Sequence, residues 1–262
     1  MAKTTMGTVD KALSLLRHFS VQKPEVGLSE LSRLAGYDKT TILRCMNALA
    51  RNGFVEQNPE SKKYRLGLAP ISFARIRERS FPLLSILQPH LDNLARVTGE
   101  TAHATIITGT TLMTALISEP ERATRVHLDP SIALPVHATA SGLAIAAHLP
   151  ADLRKRMIEQ DAFERFTDQT PDDPAALETM LEQARQNGFT RADQYFEADV
   201  IGTAAAFFNA SNTPAGALAV AAVATRFNAD LTDLITTHLI AAVNDVTREL
   251  GGTMPARTTV AA

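Results

Sequence analysis

Lys39, Thr40, Thr41, Arg44 and Asn47 fall within one short stretch of the chain. Two cations, two hydroxyls and an amide form a set that can hold phosphate oxygens and read base edges in a DNA groove. At helical spacing Thr40, Leu43, Arg44 and Asn47 project away from a face made of Ile42, Cys45, Met46 and Leu49. Arg44 and Asn47 are the expected base readers, whereas Leu43 can only pack or touch a methyl group. A Lys or Arg on a helix is ordinarily a solvated surface charge. Here the cations keep company with Ser29, expected to cap the preceding helix, and with Lys62 and Lys63, placed on a turn where they can reach a phosphate or an adjacent groove.

A second constellation is His137-Ala138-Thr139-Ala140-Ser141-Gly142, a loop leading into an Ala-rich helix. Free backbone N–H groups there can hold a carboxylate without a basic side chain. Ordinary N-capping by Thr139 or Ser141 is the plainer use of the same residues. The polar pair Asp193-Gln194, ahead of Gly202, is a further ligand candidate, although polar residues between apolar strands also serve as edges and loops.

Catalysis finds little support. His90, His103, His127, His137, His148 and His238 have no metal-ligand spacing, and none lies near Cys45. His103, alone in an apolar strand, reads as a core group. Nucleophile-elbow, dinucleotide and phosphate-loop patterns are absent, and Asp172-Asp173 reads as solvated charge. A single cysteine excludes a disulfide framework and a multi-cysteine zinc site. The expectation is a protein that is not an enzyme and needs neither cofactor nor metal.

The elements that must position these residues are legible from periodicity and punctuation. A helix over 8–20 precedes a short one from Ser29 to Gly36; Asp38 then caps a third over 39–52, closed by Gly53. Strand-like runs at 54–57 and 64–66 enclose the Lys62-Lys63 turn, completing a winged helix-turn-helix pattern over 1–68. A basic linker helix follows over 69–81. Beyond it come a helix over 83–97 kinked at Pro89, a hairpin at 101–107 and 112–117, and a strand at 124–127. Helices at 151–159 and 174–187, apolar strands at 203–208 and 215–224, and a helix at 231–250 complete the pattern. That order predicts an α+β domain with an antiparallel sheet over 82–252 and a flexible tail over 253–262.

Charge divides the chain the same way. Residues 1–80 carry 14 Lys and Arg against 7 Asp and Glu, a net of +7, and the remainder has a net of −9 within the overall −2 of the 262 residues. A basic module on an acidic body suits a DNA binder. With no apolar leader or long apolar span, the expected location is the cytoplasm, with no membrane partner.

Three segments in order, GLSELSRLAGYDKTTILRCMNALARNGFVEQNPESKKYRLG from Gly27, LPVHATASGLAIAAHLP from Leu134 and NGFTRADQYFEADVIGTAAAFFNASNTPAGALAVA from Asn187, resemble the isocitrate lyase regulator (IclR) family. The resemblance covers about residues 7–250. It implies a winged helix-turn-helix domain, a linker helix and a GAF-like effector domain with a curved antiparallel sheet. It further implies a homodimer or homotetramer acting, commonly as a repressor, on a double-stranded DNA operator under a small-molecule carboxylate effector. The effector site would lie on the concave sheet face, with the carboxylate at the Ala140-Ser141 backbone and Val126, Leu134 and Thr139 nearby. Family members that bind small 2-oxo acids use an Asp, a Cys and two Ser at positions matching Ala192, Gly202, Ala219 and Ala221. Their replacement here implies a roomier, less polar pocket suited to a larger or aromatic carboxylate. Asp193-Gln194 resembles a motif of members controlling aromatic-acid catabolism, pointing the same way. The alternative is a constitutive DNA-binding oligomer whose pocket is vestigial.

Overall fold

Short amphipathic segments punctuated by glycine build the first part of the chain. In the computed structural model, which describes residues 7–161 and 163–256, the chain divides into two units, 1–82 and 83–262. In the first, α1 (Thr8–Leu15) stops short of the expected 8–20. Leu16–His18 tighten into a 3-10 turn and Phe19 goes extended, which drops its ring into the core. α2 (Leu28–Ala35) ends at Gly36, whose φ of +70° suits a residue without a Cβ. α3 (Lys39–Arg51) follows after Tyr37 and Asp38. β1 (Val55–Gln57) and β2 (Tyr64–Leu66) pair antiparallel, Glu56 facing Arg65. Leu15, Val26, Leu31, Ile42, Met46 and Tyr64 meet in one core. α4 (Ala69–Ser80) closes the unit with no buried residue.

The second unit begins with α5 (Leu83–Thr98), which carries Pro89 inside it and ends at Gly99, φ +67°. Then come β3 (Thr101–Thr108), β4 (Thr111–Ser118), β5 (Ala133–Leu134), α6 (Ala140–Ala146), α7 (Ala151–Asp161) and α8 (Pro174–Asn187). β6 (Thr190–Asp193), β7 (Val200–Phe208), β8 (Pro214–Val223) and α9 (Ala229–Glu249) complete it. The six strands form one antiparallel sheet in the order β5-β4-β3-β8-β7-β6.

Alternation along the central strands divides the core in two. Ala102, Ala104, Leu218, Val220 and Phe207 face α5 and α9, meeting Leu91, Ile235, Leu239 and Val243. Ala204, Ala217 and Ala219 belong to the opposite face, packed with Leu143 of α6 and Leu181 of α8. At the start of β3 the buried Glu100 carboxylate accepts two hydrogen bonds from the Arg226 guanidinium, at 2.8 and 2.7 Å. This paired geometry satisfies a charge that burial would otherwise penalise.

Four expectations are corrected. Residues 124–127 are not a strand: the Val126 carbonyl accepts from the Thr101 hydroxyl at 2.7 Å instead of a ladder N–H. The sheet gains β6, whose Thr-Arg-Ala-Asp sequence lacks a strand's apolar run. Asp173 is no idle surface charge, since its carboxylate accepts from the Ala175 and Ala176 N–H groups and caps α8. The expected flexible tail is tied down at its start: Thr253 N–H donates to Asn212 at 2.8 Å and Met254 packs on the α9 side of the sheet. Residues 257–262 of that tail lie outside the described residues.

Candidate nucleic-acid interface and ligand cavity

Local capping sets the exposed face of α3. The Asp38 carboxylate accepts from the Thr41 N–H at 2.9 Å and from its hydroxyl at 2.7 Å, and these bonds lower the Asp38 pKa. Thr41 is thereby held at the cap and half-buried, while Lys39, Thr40, Arg44 and Asn47 are exposed. Burial of Ile42, Cys45, Met46 and Leu49 orients them. Ser29 is exposed, but the cap of α2 is Gly27 with no side-chain bond, so the capping role expected for Ser29 is corrected. Helix α2 starts one residue earlier than its sequence suggests, because Leu28 packs on the core.

At the wing tip, the Asn58 side-chain oxygen accepts from the Glu60 and Ser61 N–H groups, and Lys62 adopts φ +57°. That turn exposes Lys62 and Lys63 together. Among the described residues, the ion pairs Lys23–Glu30, Arg33–Glu30 and Arg65–Glu56 engage other cations. Lys39, Arg44 and Lys62 are therefore open to a polyanion.

In the second unit, register decides what lines the α6 side of the sheet. Ala192 pairs with Gly202 and Gly202 with Ala221, a row running across β6, β7 and β8. Ala219 pairs with His103. These small residues leave a cavity of about 80 Å³ beneath Thr139, Ala140 and Ser141, with Val126, Leu128, Leu134 and Val200 as further apolar walls. Tyr195, Phe196 and Glu197, from the segment after β6, complete the lining. No Lys or Arg is among the lining residues.

Several bonds fix this wall. The Thr139 hydroxyl accepts from Gly142 N–H at 3.0 Å and donates to the Pro135 carbonyl at 2.7 Å. The Thr190 hydroxyl donates to the Ala140 carbonyl at 2.7 Å, tying β6 to α6. A Cβ on Gly202 would come within 3.3 Å of the Ala140 methyl, so bulk there would press on the helix.

His103 is 7% exposed, with Nε2 3.4 Å from the Ser141 hydroxyl and Nδ1 without a hydrogen-bond partner. Burial pushes its pKa down to about 4, which makes it a neutral imidazole near pH 7. Burial likewise raises the Tyr195 pKa.

Of the effector residues expected from sequence, Val126, Leu134, Thr139, Ala140, Ser141, Ala192, Gly202, Ala219 and Ala221 are brought together around the cavity, and Asp193 and Gln194 are not. Alternation along β6 turns Ala192 inward and leaves Asp193 beside Arg191, at 2.8 Å. Gln194 takes φ +62° and donates its side-chain amide to the Ala198 carbonyl, closing the β6–β7 turn. His103, read from sequence as a satisfied core group, is corrected to a lining residue with an unmet ring nitrogen. Tyr195 and Phe196 escaped sequence reasoning. Their only signal was aromaticity, and nothing in the spacing ties them to residues 139–141.

A winged helix-turn-helix unit followed by a domain with a half-open, mostly apolar cavity places the chain among DNA-binding transcriptional regulators. Residues 8–59 match the IclR helix-turn-helix domain and residues 79–248 the bacterial transcriptional regulator IclR C-terminal domain; the chain belongs to the IclR family. It is 28% identical over 219 residues to the HTH-type transcriptional regulator XynR of Escherichia coli (strain K12), covering 84% of this chain and 87% of that one. A crystal structure of a regulator of this family from Silicibacter sp. TM1040 is 36% identical, with a TM-score of 0.88 and coverage of 97% and 100%. An IclR homologue from Microbacterium hydrocarbonoxydans, complexed with 4-hydroxybenzoate, shares the fold at 20% identity and TM-score 0.77, covering 92% and 100%. The relatives are named as regulators of transcription, and this chain is a regulator, not an enzyme. Among the described residues no helix is long and apolar enough to cross a membrane.

Proposed function

We propose that the chain binds a double-stranded operator through the exposed face of α3, and that a small organic carboxylate in the second unit's cavity changes that affinity. Lys39, Thr40, Arg44 and Asn47 reach the groove, and Ser29, Lys62 and Lys63 meet phosphates, while Thr41, expected among the contacts, spends its N–H and hydroxyl on Asp38. The observation that carries the sensing half is the convergence of four separate sequence segments, around 103, 126–128, 134–141 and 192–221, on one half-open, mostly apolar space. Its volume is below the roughly 150 Å³ that admits benzene in an engineered cavity. A compact acid fits directly, and a one-ring acid such as the 4-hydroxybenzoate of the Microbacterium homologue enters when the Tyr195-Phe196 segment swings outward. The ligand shifts operator affinity only by the difference in its binding to the two functional states.

The chain acts as a homo-oligomer. Val9 and Leu13 on α1 and Ile71, Phe73 and Ile76 on α4 are each about half exposed or more, apolar surface that a second copy would cover.

Thermal-shift screening of short-chain and aromatic carboxylic acids, followed by operator titration with each stabilising acid, tests the reading. The expected result is at least one acid that both raises the melting temperature and changes operator affinity. A panel without any stabiliser, alongside intact operator binding, would instead favour a constitutive DNA-binding oligomer with a vestigial pocket.

A further inference from the structure

Leu134 and Phe196 border two spaces at once. On one side lies the apolar cavity beneath α6, and on the other a hollow of about 280 Å³ between the β3–β4 turn, the chain around β5 and the end of α7. The two side chains are the partition between these spaces. Phe196 is half-buried, meets the Phe166 ring edge-on at 4.8 Å, and also borders a third, open hollow beside Thr167, Asp168 and Ala198. The Thr167 and Thr170 hydroxyls donate to the Gln194 and Tyr195 carbonyls, each at 2.6 Å, pinning the chain just ahead of Phe196. The ring itself has room to turn aside by a change of rotamer.

The outer hollow differs from the cavity in its chemistry. Leu112 and Val136 are buried beneath it, while Gln160 and Glu164 stand exposed around it. The Thr110 hydroxyl donates to Gln160 Oε1 at 2.7 Å, so Gln160 keeps its amide N–H groups for another acceptor. The buried His137 donates from Nε2 to the Glu164 carbonyl at 2.9 Å and packs on the Phe163 and Phe166 rings, which fixes the chain that carries the Glu164 carboxylate. Neither space has a Lys or Arg among its lining residues. We propose that the two spaces form one bipartite ligand site for an elongated monocarboxylate. Its acid end lies in the inner cavity, its apolar chain passes between Leu134 and Phe196, and its far end carries a hydroxyl that donates to Glu164 and accepts from Gln160. A second carboxylate at the far end would face Glu164 with no cation to offset the repulsion, so a dicarboxylate of the same length is disfavoured. The inference rests on the effector reading and adds the ligand's length and the chemistry of its far end.

The experiment uses the full chain with hexanoate, 6-hydroxyhexanoate and adipate as probes, and isobutyrate as a probe of the inner cavity alone. Calorimetry is expected to show 6-hydroxyhexanoate binding about fivefold more tightly than hexanoate, the worth of one hydrogen bond, and adipate about tenfold more weakly than hexanoate. The double variant Gln160→Ala, Glu164→Ala alters exposed side chains and should abolish both differences, with hexanoate and isobutyrate affinities kept. In the unaltered protein, the C6 methylene of bound 6-hydroxyhexanoate should give nuclear Overhauser contacts to the Phe166 and Phe196 rings, an answer that stands even if the variant fails to fold. Equal affinity for hexanoate and 6-hydroxyhexanoate, a preference that persists in the folded variant, absence of the Phe166 contact, or binding of isobutyrate without hexanoate would each overturn the bipartite site and leave the effector reading intact. Failure of isobutyrate and all three longer acids to bind would overturn the effector reading itself for these acids, and the outer subsite with it.

Discussion

At the scale of single residues, His103 makes the second unit sensitive to acid. Its folded pKa of about 4 lies below the unfolded value of about 6.5, so between those limits the unfolded chain binds more protons. The native state is favoured most above pH 6.5 and loses up to roughly 3 kcal/mol from this group as pH falls toward 4. His148 is depressed in the same direction, by burial and then by Arg185. Urea unfolding at pH 7, 5.5 and 4.5 should therefore show a steeper acid loss in the unaltered protein than in H103Q, the difference isolating His103 from His148 and the carboxylates. On the DNA side, Arg44→Ala is expected to cost about 1–3 kcal/mol of operator binding and to relax the preference for the operator's bases. Fluorescence titration of the operator and of base-substituted operators checks it, and an unchanged preference would remove Arg44 from the base readers. Arg44 was legible in the sequence because its neighbours at helical spacing are apolar. The role of His103 was not, because the residues around it come from strands and loops up to 118 residues away, at Ala221.

At the scale of elements, short-range capping was readable and long-range pairing was not. Asp38 before α3 and Gly36 after α2 are local signals, and both stand where punctuation places them. β6 and the loop at 124–127 were misread because strand identity depends on which partner offers its N–H and C=O groups. The helix that roofs the cavity depends on two local devices. Thr139→Ala removes the hydroxyl that meets Gly142 N–H in a buried setting, which should cost about 1–2 kcal/mol in urea unfolding, with Thr139→Ser restoring most of it. Gly142→Ala would set a Cβ 2.5 Å from the Val136 carbonyl oxygen and 2.8 Å from that of Pro135. The 135–141 loop must then shift, and the expected result is loss of the ligand-induced thermal shift while operator binding is kept.

At the scale of the whole molecule, the two units have separate cores and opposite net charge, +7 for residues 1–80 and −9 for the rest. Net charge of this sign in the reading unit speeds and strengthens association with a polyanion, and salt weakens it. The exposed apolar residues of α1 and α4 form the surface on which the proposed second copy would pack. The double variant Val9→Glu, Ile76→Glu should run as a smaller species in size-exclusion chromatography with light scattering and bind the operator more weakly. A variant whose mass and affinity stay unchanged would move the oligomer contact elsewhere.

Taken by itself, the amino-acid sequence determined the features that neighbouring residues settle among themselves: the helix boundaries near Gly36, Asp38 and Gly99, the reading face of α3, the β1–β2 wing and the family. Tertiary structure alone decided that His103, Tyr195 and Phe196 share the cavity with the residues the family resemblance places there, because sheet register aligns Ala192, Gly202 and Ala221 and sets His103 against Ala219. A one-residue change of register would turn every one of those side chains to the other face. It also decided the cavity's small size, since Tyr195 and Phe196 fold over the space that the alanines and glycine leave open.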